Sequence, residues 1–522
     1  MQSAPFDVAQ TRVSLPEALL NAKARFGSAK EILEDPERTP LTYARLVLGS
    51  LILGRKLAAL TARGARVGVL LPSVNGVAVT LFGLLFHERL PVLLNFTAGA
   101  KNLLSACETA EIDVIVTSRR FIDTAKLDDV VATLGMSRTI VYLEDVRKAI
   151  TGIDKVVGMA RSLVAQAIAR RACPDPDAPA VILFTSGSEG VPKGVVLSHA
   201  NLVGNAMQIW QHAHGMLSQD DIAMNPLPVF HSFGLTAGTL VGVLNGMKVV
   251  LYPSPLHYKQ VPKLVHETKA TLLFATDTFL VGYGRAAEAG ELASLRIVVT
   301  GAEKVKETTR DLWAPYGTTI LEGYGCTECA PVLSCNTPDR NRPGTVGPML
   351  PGIESRLDPV EGIHEGGKLV VRGCNVMLGY MLASRPGVIQ PPADGWYDTG
   401  DIVDLDRDGF ITIKGRAKRF AKLGGEMVSL AAIETIASDL WPGATHVGVT
   451  LPDKRKGEQV VLVTDKPDAD RDDFLAYARA NGVPELYVPR AILVVNAIPV
   501  LGSGKIDYAG TAELVKTMRA LI

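Results

Sequence analysis

The run Phe184-Thr-Ser-Gly-Ser-Glu-Gly-Val-Pro-Lys-Gly194 follows an apolar strand, Ala180–Phe184. Its glycines let backbone N–H groups approach an anion closely, and the hydroxyls of Thr185, Ser186 and Ser188 add donors. Lys193 supplies a point charge for a phosphate. The spacing is not that of a Walker A loop, G-x-x-x-x-G-K-S/T. An ordinary Gly/Ser turn would not need the strand, the hydroxyl cluster and Pro-Lys-Gly together.

A second run, Leu321-Glu-Gly-Tyr-Gly-Cys-Thr-Glu328, follows a strand expected over Thr318–Leu321. Tyr324, between glycines, can offer its ring to a base. Thr327 can bond a phosphate, and Glu328 can hold Mg²⁺ beside it. A third, Trp396-Tyr-Asp-Thr-Gly-Asp401, ends in an acceptor suited to two ribose hydroxyls. A fourth, Gly415-Arg-Ala-Lys-Arg-Phe-Ala-Lys-Leu-Gly-Gly425, is rich in cations, and a fifth, Gly502-Ser-Gly-Lys-Ile-Asp507, carries one lysine near the C-terminus.

Such groups need a scaffold. Seven apolar runs punctuate the first 350 residues: Val67–Leu71, Val114–Thr117, Thr139–Leu143, Ala180–Phe184, Met247–Tyr252, Thr271–Phe274 and Arg296–Thr300. Short Val/Ile/Leu runs separated by helix-length stretches predict parallel strands covered by helices on both faces. Two segments starting at Leu71 and Leu227 look alike, each a turn, an apolar helix and a strand, which predicts two similar doubly wound subdomains. Residues 338–415 turn Gly- and Pro-rich, with short strands that predict a small β-barrel or β-rich layer. Residues 419–522 have the size of one small α+β domain, with a boundary near Gly415–Arg419.

Composition narrows the classes. The 522 residues hold 54 Lys+Arg and 54 Asp+Glu, and a net charge of zero argues against a dedicated nucleic-acid binder. With 47% hydrophobic and 21% charged residues the chain is packed rather than disordered, and its length suits two to four domains. Six cysteines are too few for a disulfide scaffold. Cys326 and Cys329 form a C-x-x-C without a second pair, which disfavours zinc, and His212 and His214 read as surface or packing residues. The N-terminus lacks the features of a signal peptide, which predicts a cytoplasmic protein. The apolar stretches Val67–Phe86 and Phe233–Tyr252 are broken by polar residues and read as buried helix plus strand, not membrane spans. Lys155–Arg171 places Val156, Ala160, Leu163, Val164, Ala167 and Ile168 at helical spacing, with only positive charge. It reads either as a surface helix packed on its own domain or as a basic amphipathic helix in peripheral contact with the inner face of a membrane.

In this order and spacing, the five runs resemble the signature of the adenylate-forming superfamily: acyl-CoA synthetases, luciferases and peptide-synthetase adenylation domains. The resemblance covers essentially the whole chain. The phrases NFTAG, TSRRFID, FTSGSEG, FHSFGLT, YPSPLHY, LEGYGCTECAPV and GRAKRFAKLGGEMVSL resemble one branch. It is the acyl-acyl-carrier-protein synthetase half of bacterial bifunctional 2-acylglycerophosphoethanolamine acyltransferase/acyl-ACP synthetases. An acyltransferase domain precedes the synthetase there; here the chain starts almost directly with the synthetase part, so no acyltransferase is expected.

The resemblance implies an α/β fold with a large N-terminal domain (1–417) of two doubly wound subdomains plus a β-barrel-like subdomain. A small mobile α+β domain (419–522) would follow a hinge at Lys418. It implies ATP and Mg²⁺. Thr185, Ser186, Gly187, Ser188 and Lys193 would embrace the β- and γ-phosphates, and Gly301, Ala302 and Glu303 with Glu322, Gly323 and Tyr324 would form the adenine site. Thr327 would touch the α-phosphate, Glu328 would bind Mg²⁺, and Asp401 and Arg416 would hold the ribose. Lys505 would bridge the substrate carboxylate and the α-phosphate, His231 would border the acyl site, and Lys422, Gly424 and Gly425 would line a thiol tunnel. Two departures stand out: Ser-Gly-Ser-Glu-Gly, with Glu189, replaces the common Ser-Gly-Thr-Thr-Gly, and Gly425-Glu426-Met427 replaces a Gly-aromatic-Arg pattern.

The implied reaction makes an acyl-adenylate from a carboxylic acid and ATP, then transfers the acyl group to a thiol. A fatty acid is expected, because His231–Gly246 supplies Phe233, Leu235, Leu240, Val241, Val243 and Leu244 but no carboxylate to pair an ammonium group. The expected acceptor is the phosphopantetheine of a holo-acyl carrier protein, ahead of CoA. Lys414, Arg416, Lys418, Arg419 and Lys422 are expected to offer a basic rim to an acidic carrier. A non-catalytic nucleotide- or acyl-binding protein is the rival from another class. The full motif set, Lys505 included, argues against it.

Overall fold

The structure is a computed structural model that describes residues 5–186, 191–363, 365–423, 426–453, 457–500 and 506–520. The chain divides into two compact units, Met1–Glu354 with Arg372–Tyr397, and Ser355–Val371 with Asp398–Ile522.

In the first unit all seven apolar runs form strands, and each pairs in parallel with a neighbour. One eight-stranded sheet runs Val332–Cys335, Thr319–Gly325, Ile297–Thr300, Leu272–Ala275, Ile222–Asn225, Lys248–Leu251, Glu31–Glu34, Leu41–Thr42. Its outermost pairs are antiparallel and the inner ones parallel. The other runs Arg385–Gln390, Gly379–Leu382, Pro192–Ser198, Pro179–Ser186, Leu90–Leu93, Arg66–Val69, Val114–Thr117, Thr139–Tyr142. The look-alike segments are equivalent units. Arg66–Val69, helix Asn75–Leu85 and Leu90–Leu93 form one, and Ile222–Asn225, the helical stretch from Phe233 to Asn245, and Lys248–Leu251 form the other.

Both apolar stretches are therefore buried helix and strand. No helix among the described residues is long and apolar enough to cross a membrane. Leu46, Leu51 and Phe82 from the helices join Leu183 of one sheet and Leu251 of the other in a continuous core. Helices Tyr43–Ala58 and Asn75–Leu85 approach so closely that a Cβ on Gly54 would lie 2.1 Å from the Gly83 carbonyl oxygen. The single helix expected over Lys155–Arg171 is instead two, Gly152–Leu163 and Ala165–Ala172. The break falls at Val164, whose φ of −112° and ψ of 22° leave the helical region.

The β-rich stretch after residue 338 contributes a hairpin, Gly379–Leu382 with Arg385–Gln390, to the second eight-stranded sheet. It also forms a four-stranded sheet in the order Ile353–Asp358, Gly367–Gly373, Tyr397–Leu405, Ile411–Arg416. The second unit also holds a five-stranded sheet. Glu426–Ser429, Phe420–Leu423, Gly457–Thr464 and His446–Asp453 pair antiparallel, and Ala491–Val494 runs parallel to Gly457–Thr464. Helices Leu430–Leu440 and Arg471–Ala480 bury Ile433 and Phe474 with Trp441 and Leu462.

Candidate active site

The described ends of the phosphate-type run lie on two paired strands. Pro179–Ser186 pairs antiparallel with Pro192–Ser198, setting Thr185 opposite Lys193 and Ser186 opposite Pro192. Lys193 is thus a strand residue, where the sequence reading put it in a loop. Pro192 stands at the first strand position, where a residue without an N–H is tolerated. Gly187, Ser188 and Glu189 lie outside the described residues.

A third strand, Gly379–Leu382, pairs with Pro192–Ser198 and sets Tyr380 opposite Val195. The Lys193 ammonium lies 5.6 Å from the Tyr380 ring centroid. The Tyr380 hydroxyl donates to Glu328 Oε1 at 2.6 Å and lies 3.2 Å from the Tyr397 hydroxyl. Burial first, then the Glu328 charge, pushes the Tyr380 phenol well above its ordinary range, so it stays a donor. Burial likewise raises Tyr397.

Glu328 owes its place to a tight return of the chain. Strand Thr319–Gly325 leads into the turn Thr327–Cys329, and Val332–Cys335 comes back antiparallel. A Cβ on Gly325 would lie 1.9 Å from the Pro331 carbonyl oxygen, so only glycine allows this approach. Ser232 Oγ donates to Thr327 Oγ1 at 3.3 Å, which ties the Phe-His-Ser-Phe-Gly segment to the turn.

That segment opens a π-helix, Phe233–Leu240, a wide turn often found at functional sites. Its cause is the buried Asn225. The Asn225 amide donates to the Gly234 carbonyl at 2.9 Å and to Thr239 Oγ1 at 3.1 Å, and Thr239 Oγ1 donates to the same carbonyl at 2.8 Å. Before it, His231 packs on Phe230, with ring centroids 4.7 Å apart, and Phe230 meets Phe96 edge-on at 4.8 Å. Phe233 reaches the other way: a Cβ on Gly301 would sit 3.3 Å from its ring. Of the six apolar residues expected to serve the acyl group, Leu235, Leu240, Val241 and Val243 are buried and Phe233 and Leu244 half-buried.

The adenine-type residues meet at one end of the first sheet, because Thr300 pairs with Glu322 across parallel strands. Ala302 adopts the left-handed conformation, with φ +68°. Glu303 accepts from the Thr278 N–H at 3.0 Å and its hydroxyl at 2.9 Å. The Glu322 carboxylate pairs with Arg310 and accepts the Gly344 N–H at 2.9 Å, while Tyr324 is buried. Both carboxylates thus brace neighbouring loops.

The donors suit magnesium. Glu328 and Thr327 present hard oxygens, and no cluster of three or more His, Cys, Asp or Glu that could hold a metal occurs among the described residues. Mg²⁺ characteristically takes one or two carboxylates and completes its shell with phosphates and water.

In the second unit, Asp401 and Arg416 are cross-strand partners joined by an ion pair of 2.8 Å. Arg416 also donates to the Thr399 carbonyl at 3.2 Å, and the Asp401 N–H bonds Thr399 Oγ1 at 3.1 Å. Lys418 sits in the turn Ala417–Arg419. Of the five cations expected to form a basic rim, Lys414, Arg416, Lys418 and Lys422 are exposed, and Arg419 is the one that needs correction. Arg419 is 17% exposed, bonds Glu434 Oε1 at 2.6 Å and lies 3.7 Å from the Tyr508 ring centroid. Lys422 pairs with Glu361 at 3.1 Å and Lys414 with Asp404 at 4.0 Å. Gly424, Gly425 and Lys505 lie outside the described residues.

Sequence reasoning missed Asn225, Ser232, Tyr380 and Tyr397 as site residues. Ser232 and Tyr397 stood inside motifs already singled out, and Tyr380 follows Gly379 in an apolar strand without any charged signal. His212 is a packing residue, as read: its Nε2 lies 2.8 Å from the Cys335 carbonyl, and burial lowers its pKa.

The family match and the curated relatives make this an AMP-forming acid–thiol ligase. The AMP-binding enzyme family matches residues 20–381, and the chain belongs to that family. It is 30% identical over 515 residues, 94% of this chain and 96% of the relative, to a methyl-dioxo-octahydro-indenyl-propanoyl:CoA ligase of Rhodococcus jostii. It is 26% identical over 482 residues, 85% of this chain and 84% of the relative, to a long-chain-fatty-acid–CoA ligase of Bacillus subtilis. Among solved structures, O-succinylbenzoate coenzyme A synthetase of Bacillus subtilis with ATP and magnesium ion matches with a TM-score of 0.78 at 21% identity, covering 95% of this chain and 99% of that one. The anthranilate CoA ligase AuaEII with anthranoyl-AMP matches with a TM-score of 0.78 at 20% identity, covering 99% and 100%. These two establish the fold.

Proposed function

We propose that the protein activates a medium- or long-chain fatty acid as its adenylate and passes the acyl group to a phosphopantetheine thiol, that of a holo-acyl carrier protein in preference to CoA. The observation that carries the first half is the hydrogen bond from Tyr380 to Glu328 beside Lys193. It presents a carboxylate and an ammonium from one rigid corner of the first unit. A carboxylate oxygen of the acid attacks the α-phosphorus, the bond to the bridging oxygen breaks, and pyrophosphate leaves. Thr185, Ser186 and Lys193 bind the departing phosphates, Thr327 the α-phosphate, and Gly301, Ala302, Gly323 and Tyr324 the adenine. Magnesium, held by Glu328 when bound, neutralises charge on the triphosphate. Asp401 and Arg416 hold the ribose. Lys505 draws the two anions together, and fixed donors of this kind are worth about 10²–10³ in rate each.

In the second step the thiol attacks the acyl carbon and AMP leaves. The small domain turns about Lys418 between steps, withdrawing Lys505 and bringing Lys422, Gly424 and Gly425 to the thiol path. His231 borders the acyl group, alongside the aromatic pair Phe96 and Phe230.

The carrier-protein reading rests on the motif phrases. CoA is the second reading, favoured by the CoA ligases among the relatives and by the pairing of the would-be rim cations with carboxylates. A matrix of C8–C16 fatty acids, aromatic acids and amino acids against CoA and holo-carrier protein tests both halves. The expected result is fatty-acid turnover with a lower KM for the carrier. Faster amino-acid activation would overturn the acid, and turnover on CoA alone would overturn the carrier.

A further inference from the structure

Helix Gly152–Leu163 turns its apolar side away from the protein. It buries Asp154 and Gly158, while Ile153 is 73% and Leu163 87% exposed, with Val156, Met159 and Val164 also exposed. Five of the sixteen exposed large apolar residues among the described residues fall in this one stretch. At about 100° per residue, Ile153, Val156, Ala160 and Leu163 share one stripe, roughly opposite Asp154 and Gly158.

The orientation is locked from below. Asp154 closes a capping box with Thr151 and takes ion pairs of 2.7 Å from Arg55 and from Lys56. A Cβ on Gly158 would lie 2.4 Å from Ile52 Cγ1, so no larger face fits there. Arg161 reaches His87 Nε2 at 3.2 Å. Rolling the helix to hide its stripe would break all of these contacts.

The polar surroundings are basic. Lys155, Arg170 and Arg171 are exposed, and Asp154, already paired, is the sole acid between 152 and 172. Glu17 reaches in from helix Leu15–Phe26 and pairs with Arg170 at 2.9 Å. We propose that this stripe rests on an anionic lipid surface, with the helix in the plane of the bilayer interface and the basic side chains among the headgroups. A second copy of the chain fits less well, since two such stripes face to face would gather Lys155, Arg170 and Arg171 of both copies around one apolar seam. The proposal does not depend on which acid the enzyme activates.

The test is sedimentation of the full-length protein with vesicles of phosphatidylcholine alone or with about one-third phosphatidylglycerol. The wild type should bind the anionic vesicles, less so as salt rises. Val156→Glu with Leu163→Glu should lower the partition coefficient at least about tenfold without altering the melting transition. Lys155→Ala with Arg171→Ala should remove the preference for anionic over neutral vesicles. Failure of the wild type to bind, or undiminished binding by the Val156→Glu/Leu163→Glu protein, would overturn the proposal. So would a wild-type dimer that this variant converts to monomer without any vesicle binding, which would assign the stripe to a second copy. The readout is lipid binding alone, so it stands apart from the activity assays.

Discussion

Tyr380 donates its phenolic hydrogen to Glu328 Oε1 at 2.6 Å while its ring lies 5.6 Å from the Lys193 ammonium. One side chain therefore positions a carboxylate and borders a cation, on segments far apart in sequence. The bond uses one lobe of the Glu328 carboxylate and leaves it oriented for other ligands.

Tyr380→Phe keeps the ring beside Lys193 and deletes the donor. Pyrophosphate release should fall about tenfold or more, with the magnesium concentration for half-maximal rate raised, while stability changes by about 1 kcal/mol. Titrating magnesium in the release assay checks this. A uniform loss of rate with an unmoved magnesium midpoint would reduce Tyr380 to a packing residue.

Arg419→Ala should destabilise the second unit by about 2–3 kcal/mol, because Glu434, only 16% exposed, is left without its cation. Burial already raises the Glu434 pKa, with Arg419 pulling it down, so removing Arg419 raises it further. A raised carboxyl favours the protonated fold, and its stabilisation is lost as pH rises through the folded pKa. The deficit should therefore be larger at about pH 7 than at about pH 5. Urea unfolding of wild type and variant at both values reads this directly, and equal deficits would contradict it.

His199 shows the opposite sign. Its Nδ1 accepts the Leu15 N–H at 3.2 Å, and burial lowers its pKa from 6.5 to about 4, with Asp175 pulling weakly the other way. The neutral ring is favoured in the fold, so its contribution is complete above pH 6.5 and is lost as pH falls toward 4. The loss should reach about 2–3 kcal/mol across that window. His199→Asn should flatten the acid side of the unfolding curve; an unchanged slope would assign it to other groups.

Lys505→Ala should abolish adenylate formation but spare thiol transfer from supplied acyl-adenylate. Lys418→Pro should do the reverse, since proline restricts the torsion a hinge must change. Single-turnover assays of each half-reaction separate the two. Equal loss in both for Lys505→Ala, or normal turnover by Lys418→Pro, would contradict the alternation.

What could be read in advance follows from range. The parallel strands were legible because each is a local Val/Ile/Leu run, and the helix after Leu71 because its apolar stretch is unbroken. Ile222–Asn225 carries no such run and has no local strand signal. The Thr185–Lys193 pairing is hidden because Gly and Pro density reads as loop even where strands pair. Arg419 looked like a surface cation because its partners, Glu434 and Tyr508, come from later elements. Asn225 shapes the π-helix from outside it, a relation that no local pattern encodes.

The central claim is that this protein makes a fatty acyl-adenylate. The most direct measurement is pyrophosphate release from ATP and magnesium with a C8–C16 fatty acid and no thiol, with the acyl-AMP product identified by mass. Stoichiometric, acid-dependent pyrophosphate and acyl-AMP, lost in Lys505→Ala and reduced in Tyr380→Phe, is the predicted result. ATP binding without acid-dependent pyrophosphate, for fatty acids of every length in that range, would contradict the account.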